Sequence, residues 1–233
     1  KYDSALKQTI RQAKQVPVLI NYTVQGKRAD KKPDAFDLEL IEKIEQSEIP
    51  YWFPTDRMME GGETRRNDPI GITHVHHFYT RRNLWVLAAM YNKAFQTKNK
   101  LLIFFVQYAA LGFSKISRYV PTHFSQVNQY LSGTLYIGSQ QSEVSPGYIF
   151  TGKLQRLVKN EAPMFGGDLK TATISCGDSS LFPISDRQFD YIFLDPPFGS
   201  NLNYSELNFL WEAWLKVFTN TKPEAIVNES QRK

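Results

Sequence analysis

Apolar and polar positions follow distinct periods along this 233-residue chain. Residues 16–24, Val-Pro-Val-Leu-Ile-Asn-Tyr-Thr-Val, are apolar and β-branched and run into Gln25-Gly26-Lys27, which predicts a strand and then a turn. A basic loop over 27–33 comes next. Asp34 or Asp37 is placed to cap a helix over 36–46, where Leu38, Ile41 and Ile44 or Glu45 recur at helical spacing, so a packed amphipathic surface helix is expected. Pro50, Pro54, Gly61, Gly62, Pro69 and Gly71 make 50–73 a long loop, and loops of that length are often functional.

Leu84, Leu87, Ala88 and Tyr91 stand at i, i+3, i+4 and i+7, predicting a helix from about residue 80 to 95 with Thr80 as its cap. The stretch 101–118 predicts a second helix. Residues 119–170 alternate short apolar pieces with Ser, Gly and Pro and predict no defined element. Further on, 171–175 reads as a short strand leading to Gly177 and Asp178, and the continuous apolar run 189–194 as a strand buried on both faces of a parallel sheet. Leu207, Leu210, Trp211, Trp214 and Leu215 predict a helix over 204–218, with both tryptophans in the core and Glu206 and Glu212 decorating its surface. The order strand, turn, strand, loop, helix is half of a doubly wound α/β sheet.

Composition narrows the function classes. With 42% hydrophobic and 14% aromatic residues the chain can bury a core, which excludes disorder as a description of the whole. The longest apolar run, 101–113, is interrupted by a glutamine and falls short of the ~20 residues of a membrane span, and no signal-peptide pattern opens the chain. A single cysteine, Cys176, excludes a disulfide framework and a Cys-based zinc site and points to a reducing compartment, with a cytoplasmic location expected. Charge divides the chain in two. Residues 1–118 hold 19 Lys and Arg against 12 Asp and Glu, and residues 119–233 hold 9 against 11. On this basis 1–118 is expected to be a basic, mixed helical and loop portion facing a polyanion, while the motif described next falls in 119–233. The chain opens at Lys1 and stops at 228–233 without a closing element, so a piece of a longer protein is expected.

Asp195-Pro196-Pro197-Phe198 falls at the carboxyl end of the predicted strand 189–194, where open α/β sheets place their ligand sites. The carboxylate can accept from an amino group, the two prolines remove backbone donors and leave carbonyls free, and the aromatic ring offers a stacking face. That combination suits a planar base with an exocyclic NH2, taken out of its stack.

The run 189–198 resembles the D-P-P-[Y/F/W] motif of amino-group nucleic-acid methyltransferases. The longer run from Asp195 to Trp214 resembles a bacterial and archaeal group of large adenine-specific DNA methylases, in which 55–58 and 73–84 also look at home. The resemblance implies a partial Rossmann-like methyltransferase fold, S-adenosylmethionine as cofactor and DNA as partner. It implies that Asp195 and the Pro196 carbonyl accept from the target N6 amino group, with Pro197 completing the motif and Phe198 stacking on the flipped adenine. Gly177 and Asp178 would help hold the cofactor, and Asn201, Asn203 and Tyr204 would line the target pocket. The Gly-rich cofactor loop of the family is not found in these residues, Phe165-Gly166-Gly167-Asp168 being the nearest approach; the family places that loop upstream of this region.

Arg65, Arg66, Arg81 and Arg82 are candidate phosphate contacts, and Lys27, Arg28, Lys31 and Lys32 form a second basic group. His74, His76 and His77 form a cluster in sequence, but on a strand His77 would oppose the other two and no fourth ligand is spaced nearby, so polar contacts are expected and no metal. An RNA base methyltransferase and a non-catalytic nucleic-acid-binding module are the rival readings.

Overall fold

Most of the regular structure is helical, and three of the helices begin where a short polar side chain supplies the acceptor that the first backbone N–H groups lack. The computed structural model describes residues 1–165 (side chains through 159), 177, 189–195, 199, 202–222 and 226–230. Strand β1 (Tyr2–Asp3) pairs antiparallel with β2 (Gln8–Thr9), and β3 (Ile20–Val24) with β4 (Lys27–Lys31). The helices are α1 (Ala35–Gln46), α2 (Arg81–Thr97), α3 (Lys100–Ala110), α4 (Pro146–Phe165) and α5 (Tyr204–Leu215). Single 3-10 turns stand at Asp68–Ile70, Val75–Phe78 and Leu111–Phe113. Among the described residues no helix is long and apolar enough to cross a membrane.

The caps follow the sequence closely. Asp34 accepts from the Asp37 backbone N–H at 3.0 Å while the Asp37 carboxylate accepts from the Asp34 N–H at 3.0 Å, a reciprocal box at the start of α1. Thr80 caps α2 through Asn83, and Asn99 caps α3 through Leu101 at 2.9 Å. α2 buries Leu84, Leu87, Ala88, Tyr91 and Ala94 along the predicted stripe, and α3 buries Phe105, Val106, Ala109 and Ala110 against it. Trp214 of α5 fills the centre. Its indole lies fully buried, stacked on the Tyr91 ring at 4.8 Å and edge-on to Tyr79 at 5.9 Å, with its N–H donating to the Tyr79 hydroxyl. Burial beside this indole pushes the Tyr79 hydroxyl well above the usual phenol range.

Four elements depart from the sequence expectation. The basic stretch 27–31 is a strand and not a loop, because Gln25 (φ 50°) and Gly26 (φ 75°) form a two-residue turn that folds it back onto Ile20–Val24. Positive φ at both central positions is what the tightest hairpin turns require, and the turn sets the pairing whatever the propensity of the strand that follows. α1 buries none of its residues, and Phe36, Leu38, Leu40 and Ile41 stay exposed. Within 119–170, Pro146–Phe165 forms a 20-residue helix whose Phe150 packs on Phe105 and Phe113 at 5.5 and 5.1 Å. Finally, 189–195 runs as irregular chain with Tyr191, Ile192, Phe193 and Leu194 between 68% and 80% exposed.

An apolar run becomes a strand buried on both faces only where neighbouring strands and covering helices meet it. Among the described residues nothing pairs with 189–195, and both sheets present are small antiparallel hairpins. The other expected strand, 171–175, lies outside the described residues, as do Gly166, Gly167 and Asp168.

Candidate functional site

The loop that carries the motif leads into α5, so the seating of α5 decides what that loop can do. Along its buried stripe, Glu206, Phe209, Leu210, Ala213 and Trp214 repeat at helical spacing, and the first of them is a carboxylate with no exposed surface. Such a group is costly unless its oxygens are saturated. Oε2 of Glu206 accepts from the backbone N–H of Glu63 (2.7 Å), the N–H of Thr64 (2.9 Å) and the Thr64 hydroxyl (3.1 Å). Oε1 accepts from the Asn228 side-chain amide at 2.7 Å. Glu206 thus joins three segments: the loop at 61–64, the start of α5 and the chain at 226–228. The reading of Glu206 as helix decoration is corrected here; Glu212 is half-buried and accepts from the N–H and hydroxyl of Thr219.

The loop at 61–68 is itself built into the core. Asn67 donates to the Leu135 carbonyl at 2.8 Å and accepts from the Ile137 N–H at 3.1 Å. Glu63 accepts from the Thr134 hydroxyl at 2.6 Å and the Leu135 N–H at 3.1 Å and pairs with Arg66. Partial burial works to raise the Glu63 carboxyl, but Arg66 and these hydrogen bonds outweigh it and hold the group below its ordinary value.

The residues of the predicted site are placed as follows. Asp195 is exposed and makes no hydrogen bond or ion pair among the described residues. Pro196, Pro197, Phe198, Asn201 and Asp178 lie outside the described residues. Gly199, which follows the motif, has φ 48°, and its carbonyl accepts from the Val227 N–H at 2.9 Å, so the chain at 226–228 anchors the motif loop as well as Glu206. Asn203 stands immediately before α5 with its Oδ1 buried and without a partner among the described residues, and Tyr204 is exposed beside it. Gly177 is exposed, with no atom of the described residues within 4 Å of the position a Cβ would take.

The four candidate phosphate-binding arginines are all engaged within the chain. Arg65 meets Glu60 at 2.8 Å and the Met59 carbonyl, and Arg66 meets Glu63. Arg81 donates twice to the Ser47 carbonyl, and Arg82 pairs with Glu143 at 2.8 Å. On the β3–β4 hairpin, Lys31 is held by Asp34 and Asp37, while Lys27 and Lys32 are exposed and without an ion pair among the described residues. Arg28 lies over the Phe124 ring, 5.1 Å from its centroid.

The histidines follow a geometry that the sequence did not disclose. Val75–Phe78 is a 3-10 turn and not a strand, so His76 and His77 turn the same way, and both donate from Nε2 to Oδ2 of Asp3 at 2.9 and 2.7 Å. Burial lowers His76 and pushes His77 down to about 4. Burial would raise Asp3, but the two imidazole donors prevail and hold its carboxyl far below the usual range. Asp3 is separated by 73 residues from His76, and nothing in the sequence ties the two together. Glu206 was more legible, being an acid on the apolar stripe of its own helix.

Compared with models of protein families, with curated proteins and with solved structures, the chain matches none.

Proposed function

We propose that this chain is the motif-bearing part of an S-adenosylmethionine-dependent methyltransferase acting on the N6 amino group of adenine in DNA. The observation that carries the reading is Asp195. This acid is exposed and unpaired among the described residues, at the head of Asp195-Pro196-Pro197-Phe198, in a loop tied at Gly199 and followed by a helix locked into the core. An exposed carboxylate at this place is free to accept from the amino group of a bound base. The buried, unpartnered Oδ1 of Asn203 lies at the far end of the same loop and supports a polar target pocket there.

In this reading Asp195 accepts one N6–H of the extruded adenine, and the Pro196 carbonyl accepts the other. The nitrogen lone pair is thereby turned toward the methyl donor, and Phe198 holds the ring by stacking. The N–C bond forms as the C–S bond breaks, and the surplus N6 proton leaves by way of the Asp195 carboxylate. S-adenosylmethionine, when bound, would supply the methyl group on a sulfonium centre.

The DNA backbone is assigned to the β3–β4 hairpin, where Lys27 and, just past β4, Lys32 make no ion pair among the described residues. A two-stranded ribbon is narrow enough to enter a major groove. The protein is cytoplasmic in this reading.

The deciding experiment incubates the full-length protein with S-adenosylmethionine and unmethylated DNA, digests to nucleosides and reads them by mass spectrometry, with Asp195→Ala in parallel. N6-methyladenine from the wild type alone is expected, with DNA binding by the variant retained. Methylation of RNA but not DNA would move the substrate, and no methylated nucleoside on either would remove the enzyme reading.

A further inference from the structure

A second polar cluster, made of residues that the proposed reaction does not use, lies where the N-terminal hairpin meets the 3-10 turn at Val75–Phe78. Asp3, His76 and His77 are all buried, and one donor atom from each lies within 4.8 Å of the others. Asp3 is fixed from both sides. Its Oδ1 accepts from the N–H groups of Ala5 (2.9 Å) and Leu6 (3.1 Å), which leaves Oδ2 aimed at the two imidazoles. His77 is oriented from behind by Thr73, whose backbone N–H donates to its Nδ1 at 3.2 Å. A third imidazole, His74, sits with its ring centre 5.2 Å from that of His77 and 5.8 Å from that of His76.

We propose that Asp3, His76 and His77 form a site for a divalent transition-metal ion of the zinc class, which fastens the N-terminal segment to the turn at 75–78. Two imidazole nitrogens and one carboxylate oxygen are a donor set suited to such ions and too poor in oxygen for calcium or magnesium. With metal–ligand bonds of about 2.1 Å, neighbouring donors in a four- or six-coordinate shell lie roughly 3.0–3.4 Å apart. The nitrogens already stand 2.9 and 2.7 Å from Asp3 Oδ2, so these two edges lengthen only slightly to admit an ion. His74 is the nearest further imidazole, and a water can complete the shell as in other three-ligand zinc sites.

The proton balance is simple. Without metal, the Thr73 N–H on Nδ1 assigns the His77 proton to Nε2, where Asp3 Oδ2 accepts it. The ion takes the place of the two Nε2 protons, each of which moves through solvent to Nδ1 of its own ring; at His77 this turns Nδ1 from an acceptor into a donor, so the Thr73 backbone N–H gives up its hydrogen bond there. The Thr73 hydroxyl, 3.4 Å from His77 Nδ1, is then an acceptor for the new N–H.

The test uses the whole chain, stripped with a chelator and dialysed. Titration with Co2+, a visible stand-in for Zn2+, is expected to saturate at one equivalent with ligand-field absorption. Zn2+ is expected to move the protons of His76 and His77 from Nε2 to Nδ1 in imidazole 15N correlation spectra. Asp3→Asn is expected to weaken Co2+ binding by more than ~10-fold, whereas His123→Gln leaves it unchanged. Should the substituted chain fail to fold, the wild-type spectra decide alone. No saturable uptake, imidazole signals of His76 and His77 that do not respond to zinc, or equal affinity in a folded Asp3→Asn would each overturn the proposal.

Discussion

The Glu206 carboxylate occupies the space beside the Cα of Gly61, so that a Cβ at residue 61 would overlap it. The next glycine is different. A Cβ on Gly62 would meet nothing nearer than the Ser230 hydroxyl at 3.9 Å, an ordinary contact. Two adjacent glycines therefore have different reasons to be there, and only the first makes room for the acid that seats α5.

Gly61→Ala is accordingly expected to destabilise the chain by about 2 kcal/mol, since neither the backbone of 61–64 nor the saturated carboxylate can move without breaking hydrogen bonds. Gly62→Ala should stay within ~0.5 kcal/mol of wild type. Urea unfolding midpoints of the two variants, measured side by side, test this, and equal midpoints would show that the close approach is not a constraint.

At Glu206 itself the expected ranking separates charge from shape. Glu206→Gln keeps one oxygen for Glu63 and Thr64 and turns an NH2 toward Asn228, which can reverse its own amide, so a loss of about 1–2 kcal/mol is expected. Glu206→Leu leaves four donors without an acceptor, three of them buried, and should lose roughly 3 kcal/mol or more. Thermal denaturation of both variants gives the ranking. A leucine variant as stable as the glutamine one would mean that the three joined segments do not depend on this carboxylate.

Glu63 adds a pH dependence whose sign can be worked out. Its carboxyl is held below the ordinary value of 4.5, so the folded state favours the ionised form, and the stabilisation is complete above pH 4.5 and lost as pH falls through the lowered value. Thr134→Val removes the donor at 2.6 Å and should move the Glu63 titration upward, bringing the acid-side loss of stability to higher pH. Stability measured from pH 6 downward shows it, as does carbonyl 13C titration of Glu63. An unchanged acid limb would assign the effect to Arg66 and the Leu135 N–H.

How much of this was legible in the sequence differed by the range of the interaction. The Asp34 and Thr80 caps and the stripe Leu84, Leu87, Ala88, Tyr91 were readable because a helix is specified by residues within a few positions of one another. α4 was not, since Pro146, Gly147 and Gly152 look like loop residues and what holds the helix is packing of Phe150 and Ile149 on α3 and its 3-10 turn. The strand at Lys27–Lys31 has little strand propensity and exists through its turn and its partner. At the candidate site, the contacts of Glu206 span up to 143 residues and those of Asp3 up to 74, separations that a single sequence does not resolve.

The β3–β4 hairpin carries the last prediction, which rests on DNA being the partner. A protein that neutralises phosphates releases condensed counterions, and the logarithm of its binding constant falls against the logarithm of salt by about one unit for each phosphate contacted. Lys27 and Lys32 are exposed and free of ion pairs among the described residues, whereas Arg65, Arg66, Arg81 and Arg82 would each have to leave a carboxylate or a carbonyl to reach a phosphate. The double substitution Lys27→Ala, Lys32→Ala should therefore lower the salt slope by about 2 and weaken binding equally for unrelated sequences. The same charge change at Lys98 and Lys100, at the corner between α2 and α3, should leave the slope where it was. Fluorescence anisotropy on a duplex across a salt series reads both. If the hairpin variant keeps the wild-type slope while the wild type binds DNA, the hairpin is not the contact surface. If the wild type shows no salt-dependent binding at all, DNA itself is the wrong partner.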